Sequence, residues 1–271
     1  MKIAVLGPKG TFSESAGIQY LKERKTEGEI LYFSSIGETV KSLRYPSVDL
    51  AVVPLENSSD GYVQETLDLL LKEEVCIVNQ VEIPIRLKLM GNVDSLEGIR
   101  NLYVQFKAKG QCRNLIRSLK GASLIVTESN VDAFLRLKAC RPGDAAIVPS
   151  HLSAEGVPFV LDDVGDHSSN FTRFVVLRKG KFSSGKGKKI SLFVLPETDR
   201  PGVLFSILEK FARAGINLTS IMSRPRGGKI GAYNFYLEAE VGEESALDEA
   251  LAGLKRETDV RILGIYGFHT S

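Results

Sequence analysis

The segment Gly180-Lys-Phe-Ser-Ser-Gly-Lys-Gly-Lys-Lys189 separates two stretches of regular pattern. It consists of Gly, Ser and Lys with one apolar residue, Phe182, and this composition is typical of a linker. A strongly apolar strand pattern lies on each side of it. The segment therefore predicts a first domain over 1–179, a linker over 180–189 and a second domain over 190–271.

The first domain alternates apolar strand patterns with helical patterns. Strands are predicted at 2–6, 31–33, 49–54, 75–85, 99–104, 123–126, 144–148 and 171–177, and helices at about 13–24, 36–44, 63–72, 111–119 and 131–139. This βαβα order predicts an α/β fold with a mostly parallel sheet and helices on both faces. Ligands of such sheets bind beyond the carboxyl ends of the strands.

The second domain has a different order of elements. Strands are predicted at 190–195, 216–222, 232–241 and 260–266. Asp199 is expected to cap the first helix, which has Pro201 in its first turn, and a second helix carries the apolar stripe around 247–254. The resulting βαββαβ order is that of the ferredoxin-like fold.

Composition narrows the class of protein. The 271 residues include 35 Lys and Arg against 33 Asp and Glu, a net charge of +2, whereas nucleic-acid-binding proteins usually have a larger basic excess. The chain has no run of 18 apolar residues and no signal-peptide pattern at its start, so we expect a cytoplasmic protein without membrane spans. Three widely spaced Cys and three His predict buried thiols and no metal site.

The first polar loop, Gly7-Pro-Lys-Gly-Thr-Phe-Ser13, joins a predicted strand to a predicted helix. Its glycines allow backbone N–H groups to approach a ligand, the helix start favours an anion, and Thr11 and Ser13 add hydroxyls. A tight turn with Ser13 as N-cap explains the same residues. The loop lacks the Gly-Lys-Ser/Thr ending of a Walker A loop.

A second polar loop follows the strand at 49–54. It places Glu56, Asn57 and Ser58 at the strand end where this class of sheet binds its ligand. The alternative is a polar loop in which Ser58 or Asp60 caps the next helix.

The last strand of the first domain begins with Asn170-Phe-Thr-Arg-Phe174. Arg173 has the geometry to bind a carboxylate with two hydrogen bonds. Thr172 could assist a leaving hydroxyl in a dry, polarised site. The alternative is a strand Thr and Arg that contact no ligand.

Thr127 and Ser129 also lie between a strand and a helix, where we expect Ser129 as N-cap and where either hydroxyl could contact a substrate. Together the four loops supply amides, hydroxyls and one Arg, but no nucleophile–base pair. They favour a small dianionic substrate and do not suit covalent catalysis of the Ser-His-Asp kind.

Three motifs in this order resemble prephenate dehydratases: the loop ending at Ser13, the run Val53-Pro-Leu-Glu-Asn-Ser58 with Gly61 and Thr66-Leu-Asp-Leu-Leu70, and Asn170–Phe174. The resemblance implies a cofactor-free carbon–oxygen lyase that converts prephenate into phenylpyruvate, with loss of water and CO₂, in L-phenylalanine biosynthesis. It implies that Thr172 is catalytic. The implied substrate-binding residues are Thr11, Ser13, Glu56, Asn57, Ser58, Thr127, Ser129, Asn170, Phe171 and Arg173.

The second domain resembles the ACT regulatory domain of this family, through Asp199-Arg-Pro-Gly-Val-Leu204, Asn217-Leu-Thr219 and Ser223-Arg-Pro225. The resemblance implies L-phenylalanine as an allosteric effector and self-association through ACT domains into a dimer or tetramer. The implied effector-binding residues are Asp199, Pro201, Gly202, Val203, Leu204, Asn217, Leu218, Thr219, Ser223, Arg224 and Pro225.

The resemblance also implies a bilobed fold like that of type II periplasmic binding proteins, with lobe one over about 1–80 and 155–179 and lobe two over about 81–154. Two alternatives keep this fold: a preference for arogenate, and a non-catalytic phenylalanine sensor. Thr172 and Arg173 argue against the sensor.

Three positions depart from the family pattern. Gln105 stands where the family often has a His, and Arg86 and Lys88 occupy a segment that usually carries another. Met222 replaces the Glu of a Glu-Ser-Arg-Pro segment, which predicts altered phenylalanine binding.

Overall fold

Residues 1–139, 141–167, 169–198, 200–227 and 231–267 are described by this computed structural model, and their strands form three sheets. The strands are β1 Lys2–Leu6, β2 Glu29–Phe33, β3 Leu50–Asn57, β4 Gly61–Tyr62, β5 Val75–Pro84, β6 Leu87–Gly91, β7 Asn101–Gln105, β8 Ser123–Thr127, β9 Asp144–Pro149, β10 Phe159–Leu161, β11 Phe171–Lys179, β12 Lys189–Leu195, β13 Leu218–Pro225, β14 Tyr233–Glu240 and β15 Asp259–Tyr266. The helices are α1 Phe12–Glu23, α2 Ile36–Lys41, α3 Gln64–Lys72, α4 Phe106–Gln111, α5 Arg113–Ser118, α6 Asn130–Lys138, α7 Val203–Arg213 and α8 Glu244–Lys255.

The first sheet has the order β2-β1-β3-β11-β5, and β4 pairs with β3. The strand β1 runs parallel to β2 and β3, whereas β11 runs antiparallel to both β3 and β5. Apolar side chains project from both faces of its central strands. One face packs against α1, and the other contacts α2, α3 and the third sheet. Both faces are therefore covered, which explains the nearly continuous apolar run in β3.

The second sheet has the order β10-β6-β9-β7-β8, in which β7 is parallel to β8 and β9. Helix α6 covers one face with Ala133 and Leu137, and Ala108 and Cys112 cover the other. The two sheets form the two predicted lobes, so the predicted bilobed α/β fold is confirmed.

The third sheet is antiparallel, with the order β13-β14-β12-β15, and completes the predicted βαββαβ domain. Helices α7 and α8 pack on one face around Leu192, Phe211 and Leu251. The other face places Phe193 and Tyr236 in one continuous core with the first sheet. This shared core attaches the second domain to lobe one.

Several predicted features differ from the structure. The first domain has two mixed sheets in place of one mostly parallel sheet, because the chain returns from lobe two and inserts β11 antiparallel between β3 and β5. The helix predicted at about 111–119 is α5, Arg113–Ser118, and a second short helix that was not predicted, α4, precedes it over Phe106–Gln111. The sheets also divide the chain differently from the predicted lobe boundary, because β10, placed by the prediction in lobe one, pairs with β6 of the second sheet.

The linker contains no helix or strand between 181 and 187, yet it packs against β15. A Cβ atom at Gly187 would lie 2.3 Å from the carbonyl of Tyr266, closer than any side chain tolerates. Glycine is thus required there by close approach of two backbones. Among the described helices, none is both long enough and apolar enough to span a bilayer.

Candidate active site

A cleft of about 650 Å³ opens between the two lobes, a size typical of small-molecule sites. Lobe one contributes the start of α1, the end of β3 and the start of β11, and lobe two contributes the starts of α4 and α6. Five of the predicted site residues line this cleft: Thr11, Ser13, Asn57, Ser129 and Thr172.

The amide of Asn57 is oriented by the loop that follows it. Its Oδ1 accepts hydrogen bonds from the backbone N–H groups of Ser59 and Asp60, both at 3.0 Å. Because Oδ1 is the acceptor, Nδ2 must face Thr172, and it donates to Thr172 Oγ1 at 2.9 Å. Thr172 accepts this bond, so its own hydroxyl proton is available for a group in the cleft.

Ser58 and Asn170 frame this pair from outside the cleft. Asn170 Oδ1 accepts from Asn57 Nδ2 at 3.0 Å and from Ser58 Oγ at 3.3 Å. Ser58 Oγ also accepts from the backbone N–H of Phe171 at 3.1 Å. Ser58, Asn170 and Phe171 were predicted to bind substrate. Instead they connect the end of β3 to the start of β11, and none of the three is among the described residues lining the cleft.

Thr11, not Ser13, is the N-cap of α1. Its Oγ1 accepts from the backbone N–H of Glu14 at 3.3 Å and donates to the carbonyl of Leu6 at 3.0 Å. The loop also differs from the anion-binding expectation, because the N–H of Gly10 donates to the Glu14 carboxylate at 2.6 Å. This loop amide is therefore occupied by the protein itself.

Glu14 affects a second group beside the cleft. The hydroxyl of Tyr32 donates to Glu14 Oε1. Burial first, and then this carboxylate, raise the pKa of Tyr32 to about 12. Tyr32 is therefore a neutral donor at physiological pH.

Helix α6 presents its start from the opposite lobe. Ser129 Oγ accepts from the backbone N–H of Asp132 at 2.9 Å, which confirms Ser129 as its N-cap. Thr127 Oγ1 donates to the carbonyl of Ser129 at 2.9 Å and is buried away from the cleft lining. The first turns of α1 and α6 thus face the cleft from different lobes, and the positive end of a helix dipole favours an anion at each.

Arg173 and Glu56 do not reach the cleft, contrary to prediction. Arg173 is 4% exposed, and its guanidinium binds Glu56 Oε2 at 2.7 Å and Glu238 Oε1 of β14 at 2.6 Å. The reason is the strand period of two: since Thr172 faces the cleft, Arg173 must face the other side of the sheet. That side is covered by the second domain.

The same alternation places Phe174 in the cleft wall, a position that was not predicted from the sequence. Also unexpected are Phe12, from α1, and Lys107, from α4, which brings a cation to the lobe-two side. Gln105 accepts hydrogen bonds from the N–H groups of Lys107 and Ala108 at 2.8 and 3.3 Å, so it caps α4. Alternation along β11 would have identified Phe174, but no local pattern identifies Lys107.

The predicted effector residues lie at two ends of the second domain. The N-cap of α7 is Gly202, whereas the prediction gave that role to Asp199 and placed Pro201 in the first turn. Gly202 has φ of +87°, a value that glycine adopts without strain, and Val203 and Leu204 follow in the first turn. Asn217 lies beyond the other end of α7, where Nδ2 donates to Glu240 at 3.2 Å. One chain therefore does not gather these residues into one pocket, and Asp199 lies outside the described residues.

Strand β13 carries the rest of the predicted effector set. Leu218 and Thr219 are at its start, and Ser223, Arg224 and Pro225 are at its end. Arg224 points to the first domain, where its Nε and Nη2 donate to Asp68 Oδ1 of α3 at 2.9 and 2.7 Å. An effector-segment side chain thus contacts lobe one.

The cysteines agree with the expectation of buried thiols where the structure describes them. Cys76 and Cys112 are free and buried, whereas Cys140 lies outside the described residues. Burial, and then the charge of Asp166, raise the pKa of Cys112 to about 12, so this thiol is unreactive. No cluster of three or more His, Cys, Asp or Glu suited to a metal occurs within the described part of the chain.

Fold and cleft together define a class: a two-lobed α/β binding unit, with a hydroxyl–amide site between helix starts and a small ferredoxin-like domain packed on one lobe. The family model described as Prephenate dehydratase matches residues 3–182, and the model described as ACT domain matches residues 191–256. A prephenate dehydratase from Methanocaldococcus jannaschii is 33% identical over 265 residues, which cover 96% of this chain and 95% of that protein. The chain belongs to the prephenate dehydratase family and carries an ACT domain.

Two solved structures resemble the whole chain. A prephenate dehydratase in complex with L-Phe from Arthrobacter aurescens has a TM-score of 0.84 and 28% identity, covering 99% of this chain and 90% of that one. GqqA, described as a novel type of quorum quenching acylase, has a TM-score of 0.81 and 25% identity, covering 100% of this chain and 98% of that one. Proteins with this fold are thus described both as a prephenate dehydratase and as an acylase. The residues of the cleft must therefore decide which of the two reactions this chain favours.

Proposed function

We propose that this chain converts prephenate into phenylpyruvate in L-phenylalanine biosynthesis. The observation that carries the proposal is the hydrogen bond from Asn57 to Thr172, because Thr172 is the acceptor in it and keeps its own proton to donate to a group in the cleft. Acyl transfer has less support, since no His or Cys is among the described residues that line the cleft to activate or act as a nucleophile.

The reaction requires the enzyme to bind and orient the substrate and to assist departure of the hydroxide. The bond between the ring and its carboxylate breaks and releases CO₂, and its electron pair completes the aromatic ring. The ring C–O bond breaks at the same time, and Thr172 donates a hydrogen bond to the departing hydroxide. Aromatisation supplies the driving force, so no covalent enzyme intermediate is required.

The two carboxylates of prephenate suit the hydroxyls and the remaining backbone N–H groups at the two helix starts, since the N–H of Gly10 before α1 is already bound by Glu14. The α1 turn with Thr11 and Ser13 lies on lobe one, and the α6 turn with Ser129 lies on lobe two. Lys107 adds a positive charge on the lobe-two side. Phe12 and Phe174 supply apolar walls, which exclude water and strengthen the hydrogen bond from Thr172.

We further infer that L-phenylalanine regulates the enzyme through its ACT domain. Of the three effector segments, residues 202–204 and 217–219 lie at opposite ends of helix α7, so a site that needs both would be completed by a second chain in a dimer or tetramer. Exposed apolar side chains at Leu204 and Phe205 support such an association. The composition supports a cytoplasmic location.

The primary test is turnover of prephenate by the purified protein, followed as phenylpyruvate absorbance, with Thr172→Ala as the variant. We expect product from the wild type and a loss of about 10²-fold or more in the variant. No product from the wild type, or full activity in Thr172→Ala, would refute the proposal. Parallel assays with arogenate establish which substrate is preferred, and calorimetry with phenylalanine tests the effector.

A non-catalytic sensor predicts phenylalanine binding without turnover of either substrate. Analytical sedimentation with and without phenylalanine tests whether two chains share the effector site. A ligand whose site is completed by a second chain must favour association of the chains.

A further inference from the structure

Two pairs of neighbouring residues lie back to back across the first sheet. The ladder of β3 and β11 pairs Thr172 with Asn57 and Arg173 with Glu56. Because side chains alternate along a strand, the first pair reaches the cleft and the second pair reaches the face under the ACT domain. The proposed catalytic hydroxyl is therefore one residue from the contact between the domains.

Arg173 joins three groups from different elements. Its Nη1 donates to Glu238 Oε1 of β14, and its Nη2 donates to Glu56 Oε2 and to the hydroxyl of Tyr62 at 2.9 Å. Burial by itself would lower the pKa of Arg173, but the hydrogen bond and charge of Glu238 raise the pKa above its ordinary value. The guanidinium therefore stays charged within the interface.

Glu238 is held equally firmly on the ACT side. Its Oε1 accepts from the hydroxyls of Tyr236 at 2.6 Å and Ser191 at 3.3 Å, and Lys189 Nζ lies 3.8 Å from Oε2. Burial is the largest single effect and raises the pKa of Glu238, but the hydrogen bond and charge of Arg173, the hydrogen bond from Tyr236 and the charge of Lys189 together hold the pKa below its ordinary value. The carboxylate is thus a fixed charged point on the ACT sheet.

The backbone beside this contact is irregular. The register of β11 against β3 shifts between Arg173 and Phe174, so the ladder is interrupted directly after the Arg. On its other edge β11 pairs with β5 in regular register from Phe171 to Val176, so the bond of Arg173 to Glu56 ties β11 to β3 beside the point where only the β3 ladder is interrupted. A movement of β14 relative to β11 must either carry Arg173 with it or break the bond to Glu238.

We propose that Arg173 is a positioning residue, through which Glu238 of the ACT domain sets the placement of Thr172 against Asn57. The proposal deepens the function proposed above and rests on the role of Thr172. An effector that favours one arrangement of the ACT domain then changes the chemical step without touching the cleft. Misplacement by about 1 Å is enough to slow such a step by about 10²-fold.

The test compares Glu238→Gln with a matched interface control. Arg261, on β15 of the ACT domain, donates to the carbonyls of Leu71 and Glu73 and does not contact β11, so Arg261→Gln weakens the same domain contact elsewhere. We expect Glu238→Gln to lower kcat by about tenfold or more, with KM changed less than about twofold, and to reduce the effect of phenylalanine on kcat. Arg261→Gln should lower the melting temperature but keep both kcat and the phenylalanine response.

A conservative variant separates positioning from folding. Arg173→Lys keeps the charge but loses the forked pair of bonds, so its kcat should lie between those of the wild type and Glu238→Gln. Melting curves establish that each variant is folded. A folded Glu238→Gln variant with wild-type kcat and phenylalanine response overturns the proposal, as does an equal loss of kcat in Arg261→Gln.

Amide hydrogen exchange provides a readout independent of turnover. Glu238→Gln should speed exchange in the peptide over β11 and leave β9 of lobe two unchanged. If the wild type does not turn over prephenate but β11 still responds, the proposed function fails and the coupling through Arg173 stands. If the wild type is active and β11 exchange is unchanged in Glu238→Gln, the coupling fails alone.

Discussion

Asn57 Nδ2 lies 2.9 Å from Thr172 Oγ1 and is the donor of the hydrogen bond between them. The direction of this bond follows from two backbone N–H groups that occupy Asn57 Oδ1. A carboxylate in place of the amide would reverse the bond, since it only accepts. Thr172 would then donate to its neighbour and lose the proton that faces the cleft.

Asn57→Asp should therefore lower kcat by about 10²-fold or more, the usual scale for loss of a positioned proton donor. The change is nearly isosteric, but the new carboxylate would also face the oxygens of Asn170 and Phe171 that now accept from Asn57 Nδ2, so melting curves must establish that the variant is folded. Asn114→Asp makes the same change at an exposed residue and should leave kcat unaltered. A wild-type kcat in Asn57→Asp would contradict the assigned bond direction.

The domain contact should be sensitive to acid through Glu238. Its pKa in the folded protein lies below the ordinary value of 4.5, because Arg173, Tyr236 and Lys189 together outweigh the effect of burial. A depressed carboxyl pKa stabilises the fold above the unfolded pKa, and this contribution is lost as pH falls through the folded pKa. Melting temperatures should thus fall more steeply below about pH 4.5 in the wild type than in Glu238→Gln. Parallel curves for the two proteins would rule out this contribution.

The order of helices and strands was predictable because each element is specified by a pattern of neighbouring residues. The βαββαβ order appeared in the periodicity of 190–271, and Ser129 was recognisable as an N-cap from its place before an apolar stripe. The mixed sheets were not predictable in this way, because pairing β11 between β3 and β5 joins segments far apart in the chain. Nor did the three-residue strand β10 carry enough pattern to reveal its partner β6.

The site shows the same division. Thr172 and Asn57 were expected in the cleft and line it, whereas Arg173 was assigned to substrate from its chemistry and from the family resemblance, and it does not line the cleft. Alternation along β11 already placed Arg173 opposite Thr172. Its partner Glu238 is 65 residues away, in a domain whose docking face no local pattern specifies.

Lys107 should assist binding of a dianion more than the chemical step. It lies at the start of α4, is exposed, and lines the cleft. Lys107→Gln should raise KM for prephenate about fivefold, equivalent to about 1 kcal/mol for a charge pair at 4 Å in water, with kcat nearly unchanged. Lys109→Gln, on the same helix but outside the cleft lining, is the matched control. The KM difference should shrink in high salt, and a difference that is independent of salt would contradict a charge effect.

The ion pair of Arg224 with Asp68 should compete with effector binding. Both Nε and Nη2 of Arg224 contact one carboxylate oxygen of α3, so this side chain is occupied by the first domain. If phenylalanine binds through Arg224, its carboxylate must displace Asp68. Removing the competitor in Asp68→Asn should then tighten phenylalanine binding about fivefold, at the lower end of typical coupling energies.

Calorimetry measures this change directly, and Arg224→Lys should weaken binding because the ammonium lacks the planar fork that matches a carboxylate. Asp68 is partly exposed, so loss of the pair should cost about 1 kcal/mol of stability or less. The melting temperature of Asp68→Asn should therefore stay close to that of the wild type. Unchanged or weaker phenylalanine binding in this folded variant would mean that Arg224 serves only the contact between the domains.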